Sequence, residues 1–112
     1  MPVNRIVFAS LVLLVAAVSC AGESAIYAGH YSVGFEKSAF APCGSSERWW
    51  VDGPGAASLA GSVHGGQAAQ FYVRWRGSKG KKGHVGHLGK YDRVFSAEFL
   101  IESHVPSAKD CK

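Results

Sequence analysis

The residues best suited to chemistry crowd into one stretch. Between positions 74 and 93 the chain carries Arg74, Arg76, Lys79, Lys81, Lys82, Lys90 and Arg93 against a single acid, Asp92. Glycine stands at 77, 80, 83, 86 and 89, every third position. Without proline, that period does not make a collagen triple helix, and the segment reads as a mobile hairpin loop presenting lysines. Cations at this density suit a polyanion, with guanidinium groups gripping phosphate or carboxylate in bidentate fashion and ammonium groups acting as point charges. The expected anion-binding set is Arg74, Arg76, Lys79, Lys81, Lys82 and Lys90, with Tyr72 adding a stacking surface beside it. The plainer alternative is a solvated loop that aids solubility, and a salt-sensitive affinity would separate the two.

A second chemistry is suggested by His84-Val85-Gly86-His87, two imidazoles three positions apart. Zinc and copper sites want three or four such ligands, so His30, His64 or His104 would have to be brought in by folding. Otherwise His84 or His87 simply bonds the loop backbone. For catalysis there is no G-x-S-x-G elbow, no H-E-x-x-H and no phosphate loop. Ser45, Ser46, Ser62 and Ser78 follow glycines or one another, where turn chemistry is their usual work. Glu36 beside Lys37 is either a buried acid or half of a surface ion pair. Trp49, Trp50 and Trp75 stand at strand spacing, and an exposed Trp50 would offer a sugar a stacking face. The expectation is a non-enzymatic protein without a cofactor.

These residues belong to a small exported domain. The whole chain has 112 residues, 47% of them hydrophobic and 18% charged, the composition of a globular protein. Arg5 is followed by thirteen uncharged, mostly apolar residues, Ile6 to Val18, and then by small ones, the order of a secretory signal and too short to span a bilayer. Ala17-Val18-Ser19-Cys20 fits the pattern of a bacterial lipoprotein signal, with cleavage before Cys20 and acylation of its thiol; ordinary cleavage after Ala21 is the rival. Residues 1–21 are accordingly assigned to the signal and 22–112 to one domain. Under either cleavage Cys43 and Cys111 remain as a pair in an oxidising compartment, expected to be bridged, the alternative being a reactive or metal-binding thiol pair that no Cys-x-x-Cys spacing supports. Their bridge would close a loop of 68 residues in a domain otherwise short of core.

The elements that position the basic segment are strands. Tyr27, Tyr31, Val33 and Phe35 share one parity, the period-two signal of a half-buried strand. Phe40 falls on the other parity after Gly34, which suggests one long strand bent at a bulge. Glu47 to Val51 reads as a second strand with Trp49 and Val51 on one face. Asp52-Gly53-Pro54-Gly55 is a breaker, and Ala56 to Val63 allows a short helical turn at best. Phe71, Val73 and Trp75 alternate with Tyr72, Arg74 and Arg76. The last strand runs from about Arg93 to Glu102, with Phe95, Ala97, Phe99 and Ile101 inward and Leu100 breaking the outer pattern. Four or five strands with one short helix suit a small antiparallel barrel of the five-stranded OB type better than a seven-stranded sandwich.

The runs GHYSVGFEKSAFAPCG, RWWVDG, FYVRWRG and GHVGHLGKYDRVFSAEFL, covering Gly29 to about Leu100, resemble a group of small bacterial envelope proteins and lipoproteins. More loosely, the chain is similar to the OB-type C-terminal domains of envelope-stress and copper-linked lipoproteins. The resemblance implies an OB-like domain in the bacterial envelope and carries no known activity with it. Facing the periplasm from the outer membrane, the destination expected because residue 21 is not Asp, or otherwise soluble in the periplasm, such a module would meet lipopolysaccharide phosphates, cell-wall carboxylates, anionic lipid headgroups or an envelope protein rather than nucleic acid. The expected function is non-catalytic binding or structural support through the basic loop, with periplasmic copper or zinc binding by the loop histidines as the second reading.

Overall fold

The computed structural model describes residues 23–61 and 68–112, so the export segment, Cys20, Ser62 and His64 lie outside the described residues. Five strands close a barrel: β1 (Ser24–Gly34), β2 (Lys37–Pro42), β3 (Trp49–Asp52), β4 (Ala69–Lys79) and β5 (Arg93–His104), in the order β1-β2-β3-β5-β4. One helix, α1 (Pro54–Ala60), lies between β3 and β4. The OB-like architecture expected from the sequence is the one observed, with one refinement. Four pairings are antiparallel, but β3 runs parallel to β5. A parallel pair needs a long connection, and α1 with β4 supplies it.

Alternation along the strands builds the core. Tyr31, Val33, Phe40, Trp49, Val51, Val73, Trp75, Phe95 and Ala97 are all buried in one cluster. Pro54 opens α1 at a position where a missing N–H costs nothing, and the helix adds Ala56 and Leu59 to that cluster.

Two sequence expectations are corrected. The segment from Tyr27 to Phe40 is a hairpin, not one bent strand: β1 pairs with β2 as far as Gly34 and Lys37, around a turn at Phe35 and Glu36. The parity change marks this two-residue reversal, and Glu36 adopts a left-handed φ of 52° there. Phe35 and Glu36 are therefore exposed loop residues.

In β5 the inward residues expected were Phe99 and Ile101, but these are 63% and 42% exposed. The register between β4 and β5 shifts twice, from Gly77↔Ala97 to Arg76↔Phe99 and from Trp75↔Leu100 to Arg74↔Glu102. Each shift adds one residue to β5, and one added residue reverses the facing of those that follow. Leu100 thus packs on the core while Phe99 and Ile101 face outward.

The Cys43–Cys111 bridge is present, with Cα atoms 5.3 Å apart. It ties the residues after β5 to the end of β2. Beside it, Asp110 accepts the Ser107 N–H at 2.7 Å and meets His30 Nε2 at 3.0 Å.

Candidate anion-binding site at the barrel end

Lys79 is the last residue of β4 and shares parity with the buried Val73, Trp75 and Gly77. Its side chain is therefore delivered over the end of the barrel rather than to its outer wall. There its Nζ lies 5.9 Å from the Tyr27 ring centroid and 5.7 Å from the Trp49 ring centroid, within cation–π range.

Strand pairing continues one residue past β4, where Gly80 N–H donates to Val94 O at 2.8 Å. Arg93 locks the corner from the other side, donating through Nη1 to Gly80 O at 2.9 Å and through Nε to Glu47 Oε1 at 2.8 Å. Trp49 Nε1 donates to the same oxygen at 2.8 Å, and Lys82 Nζ lies 3.4 Å from Glu47 Oε2. An open concavity of about 460 Å³ results, lined by Glu23, Tyr27, Lys79, Lys81 and Arg93 among others.

Glu47 is the acidic hub of this end. The Arg93 hydrogen bond, then that of Trp49, outweigh desolvation and hold its carboxyl well below the ordinary 4.5, at about 2. A depressed folded-state value means that the carboxylate stabilises the fold fully above the ordinary value and loses that contribution as the pH falls towards the depressed one. The Glu47→Gln variant is expected to show a flatter decline in unfolding midpoint across that acid window than the native chain. Denaturant titrations at a series of acidic pH values check this, and parallel declines would contradict it.

The rest of the glycine-rich segment is not a free loop. Gly83 N–H donates to Asp92 O at 2.8 Å, Val85 and Tyr91 exchange backbone bonds at 2.9 and 3.0 Å, and Asp92 N–H donates to Arg48 O at 2.8 Å. The expected hairpin is there, but stitched to itself and to the chain before β3. Gly86, with φ 74°, lies so close to Trp50 that an added Cβ would come within 2.7 Å of that residue's Cβ. Trp50 is half-buried beneath this arm: His87 stacks on it at 6.4 Å and Tyr91 meets it edge-on at 5.2 Å. Its ring anchors the loop instead of offering the open sugar platform considered from sequence. Arg48 in turn lies over the Tyr91 ring at 5.0 Å.

The structure thus divides the basic set. Lys79, Lys81 and Lys82 gather with Arg93 at the barrel end, while Lys90 sits exposed on the returning limb of the loop. Arg74 and Arg76 lie on the outer face of β4, where Arg74 Nε bonds Glu102 Oε1 at 3.0 Å. His87 Nε2 faces Glu36 Oε1 at 3.5 Å, and His84 is exposed. Among the described residues no three His, Cys, Asp or Glu side chains are grouped to hold a metal ion.

Sequence reasoning missed Glu47 and Tyr27 and left Arg93 outside the set. The i, i+2 spacing of Glu47 and Trp49 was a usable signal for one shared face, whereas the pairing that brings Arg93 to them was not written in any local pattern. Comparisons with protein-family models, with curated proteins and with solved structures return no match to this chain.

Proposed function

We propose that the protein is a non-catalytic binding module of the bacterial cell envelope that holds an anionic envelope component at the end of its barrel. The observation that carries this reading is the convergence of Lys79, Lys81 and Arg93 around one open concavity floored by the Tyr27 ring, with Lys82 held nearby on Glu47. Cations held by a folded scaffold lose less freedom on binding than cations on a mobile loop, so the same charges bind more tightly. Glu47 orients two of them and, by neutralising part of their charge, sets the affinity below its ceiling.

Export, and lipid anchoring through Cys20, belong to the same reading. It is supported by the order of charged, apolar and small residues at the N-terminus and by a disulfide of the kind that persists in oxidising compartments. Phosphate groups of lipopolysaccharide or of anionic lipids are the ligands that such a compartment offers.

Co-sedimentation with phosphatidylglycerol vesicles, compared with phosphatidylcholine vesicles, tests the reading. Binding to the anionic vesicles is expected to fall with added salt. The Lys79→Gln, Lys81→Gln, Lys82→Gln triple variant is expected to lose roughly 3 kcal/mol of it, about one for each cation near an anionic surface, while its unfolding midpoint changes little. Equal binding to both vesicle types, or a triple variant that binds like the native chain, would overturn the proposal.

A further inference from the structure

We infer that the outer face of β1, β4 and β5 is a self-association surface, and that a second copy of this chain is its partner. The register places Ile26 of β1, Arg76 of β4 and Phe99 of β5 in one row across three adjacent strands. Ile26 is 47% exposed, and Phe99 and Ile101 are the outward residues of β5 described above. The first register shift, between Ala97 and Phe99, makes this arrangement: without it Phe99 and Ile101 would face the core. Bulges re-aim side chains and behave as built features of a sheet rather than defects, and here one of them turns two large apolar groups to the outside together.

Charge identifies the occupant. Arg76 stands within the row, between Ile26 and Phe99, and Arg74, Glu98 and Glu102 lie beside it, a balanced set that gives an anionic membrane nothing to attract. Arg74 and Glu102 already pair within the chain. Among the described residues Arg76 has no carboxylate partner and Glu98 accepts only the Ser24 hydroxyl, at 3.0 Å. A patch that holds one unpaired cation and one unpaired anion among exposed apolar side chains is complementary to itself. In a two-fold contact each surface meets its own copy, residue i against j and j against i, so Arg76 of one protomer can reach Glu98 of the partner subunit while the apolar rows close over each other. The exposed row consists of outward side chains on strands already paired with one another, so the association is face to face.

Sedimentation velocity on the native protein, as its host processes it and in detergent if it is acylated, tests the inference over micromolar to submillimolar loading. A concentration-dependent dimer is expected. Arg76→Glu and Glu98→Arg, each of which sets like charges opposite one another, are expected to weaken it on the order of a hundredfold. The double variant is expected to restore it, and Phe99→Ser to abolish it with the near-ultraviolet circular dichroism retained. A monomer at every loading, a dimer indifferent to these substitutions, or a double variant that stays monomeric would overturn the inference. None of these outcomes bears on the vesicle binding assigned to the barrel end, which uses other residues.

Discussion

Replacing Phe95 by alanine is expected to lower the unfolding free energy by about 3–5 kcal/mol, much of the total available to a domain of this size. Phe95 is fully buried. Its ring centroid lies 5.3 Å from that of Tyr27, 5.7 Å from Phe40, 5.5 Å from Trp49 and 5.7 Å from Trp75. These four residues come from β1, β2, β3 and β4, so Phe95 is the contact through which β5 meets every other strand. Truncation removes both the transferred apolar area and the ring-to-ring contacts, and rigid strands closed into a barrel cannot collapse into the space. Denaturant unfolding of Phe95→Ala beside Phe95→Leu checks the account. The leucine variant, which keeps most of the volume, is expected to lose much less; equal losses would mean that the ring cluster matters little.

The second large effect is that of the disulfide. Reduction, or the Cys43→Ser, Cys111→Ser pair, is expected to cost roughly 4 kcal/mol, because the bridge closes a loop of 68 residues and removes that freedom from the unfolded chain. For a domain this small, that corresponds to a fall in Tm of roughly 15–30 °C. The native contacts beside the bridge do not replace it. The bond from Asp110 to Ser107 is local, and the one to His30 forms only after the chain has returned to the barrel. Calorimetry with and without reductant reads the difference directly, and a reduced protein that melts within a few degrees of the oxidised one would contradict the prediction.

Much of the architecture was legible in the chain because alternation is a local signal. Phe71, Val73 and Trp75 against Tyr72, Arg74 and Arg76 gave β4 and its facing, and Asp52-Gly53-Pro54-Gly55 marked where α1 begins. The errors arose where alternation is broken by events that no single strand records. A change of parity at Gly34 is equally consistent with a bulge or with a tight reversal, and only the pairing of Gly34 with Lys37 distinguishes them. The added residues in β5 are defined against β4, so Phe99 and Ile101 could not be placed from β5 alone.

The same reasoning explains the site. Counting charges located the basic segment, but its lysines were assembled with Arg93 and Glu47 by the parallel pairing of β3 with β5, which sets Trp49 opposite Arg93. Contacts between residues more than forty positions apart carry no local signature. The separation of Arg74 and Arg76 from Lys79 likewise follows from facing: even-numbered positions of β4 look outward and Lys79 does not.

The most direct test of the barrel-end site is a titration of isotope-labelled protein with phosphatidylglycerol in small bicelles, followed by amide chemical shifts. The largest changes are expected at Tyr27, Lys79, Gly80, Lys81 and Arg93, reversed by salt. Changes centred instead on Trp50, His87 and the β2–β3 face, or none at these five residues while binding persists, would contradict the assignment.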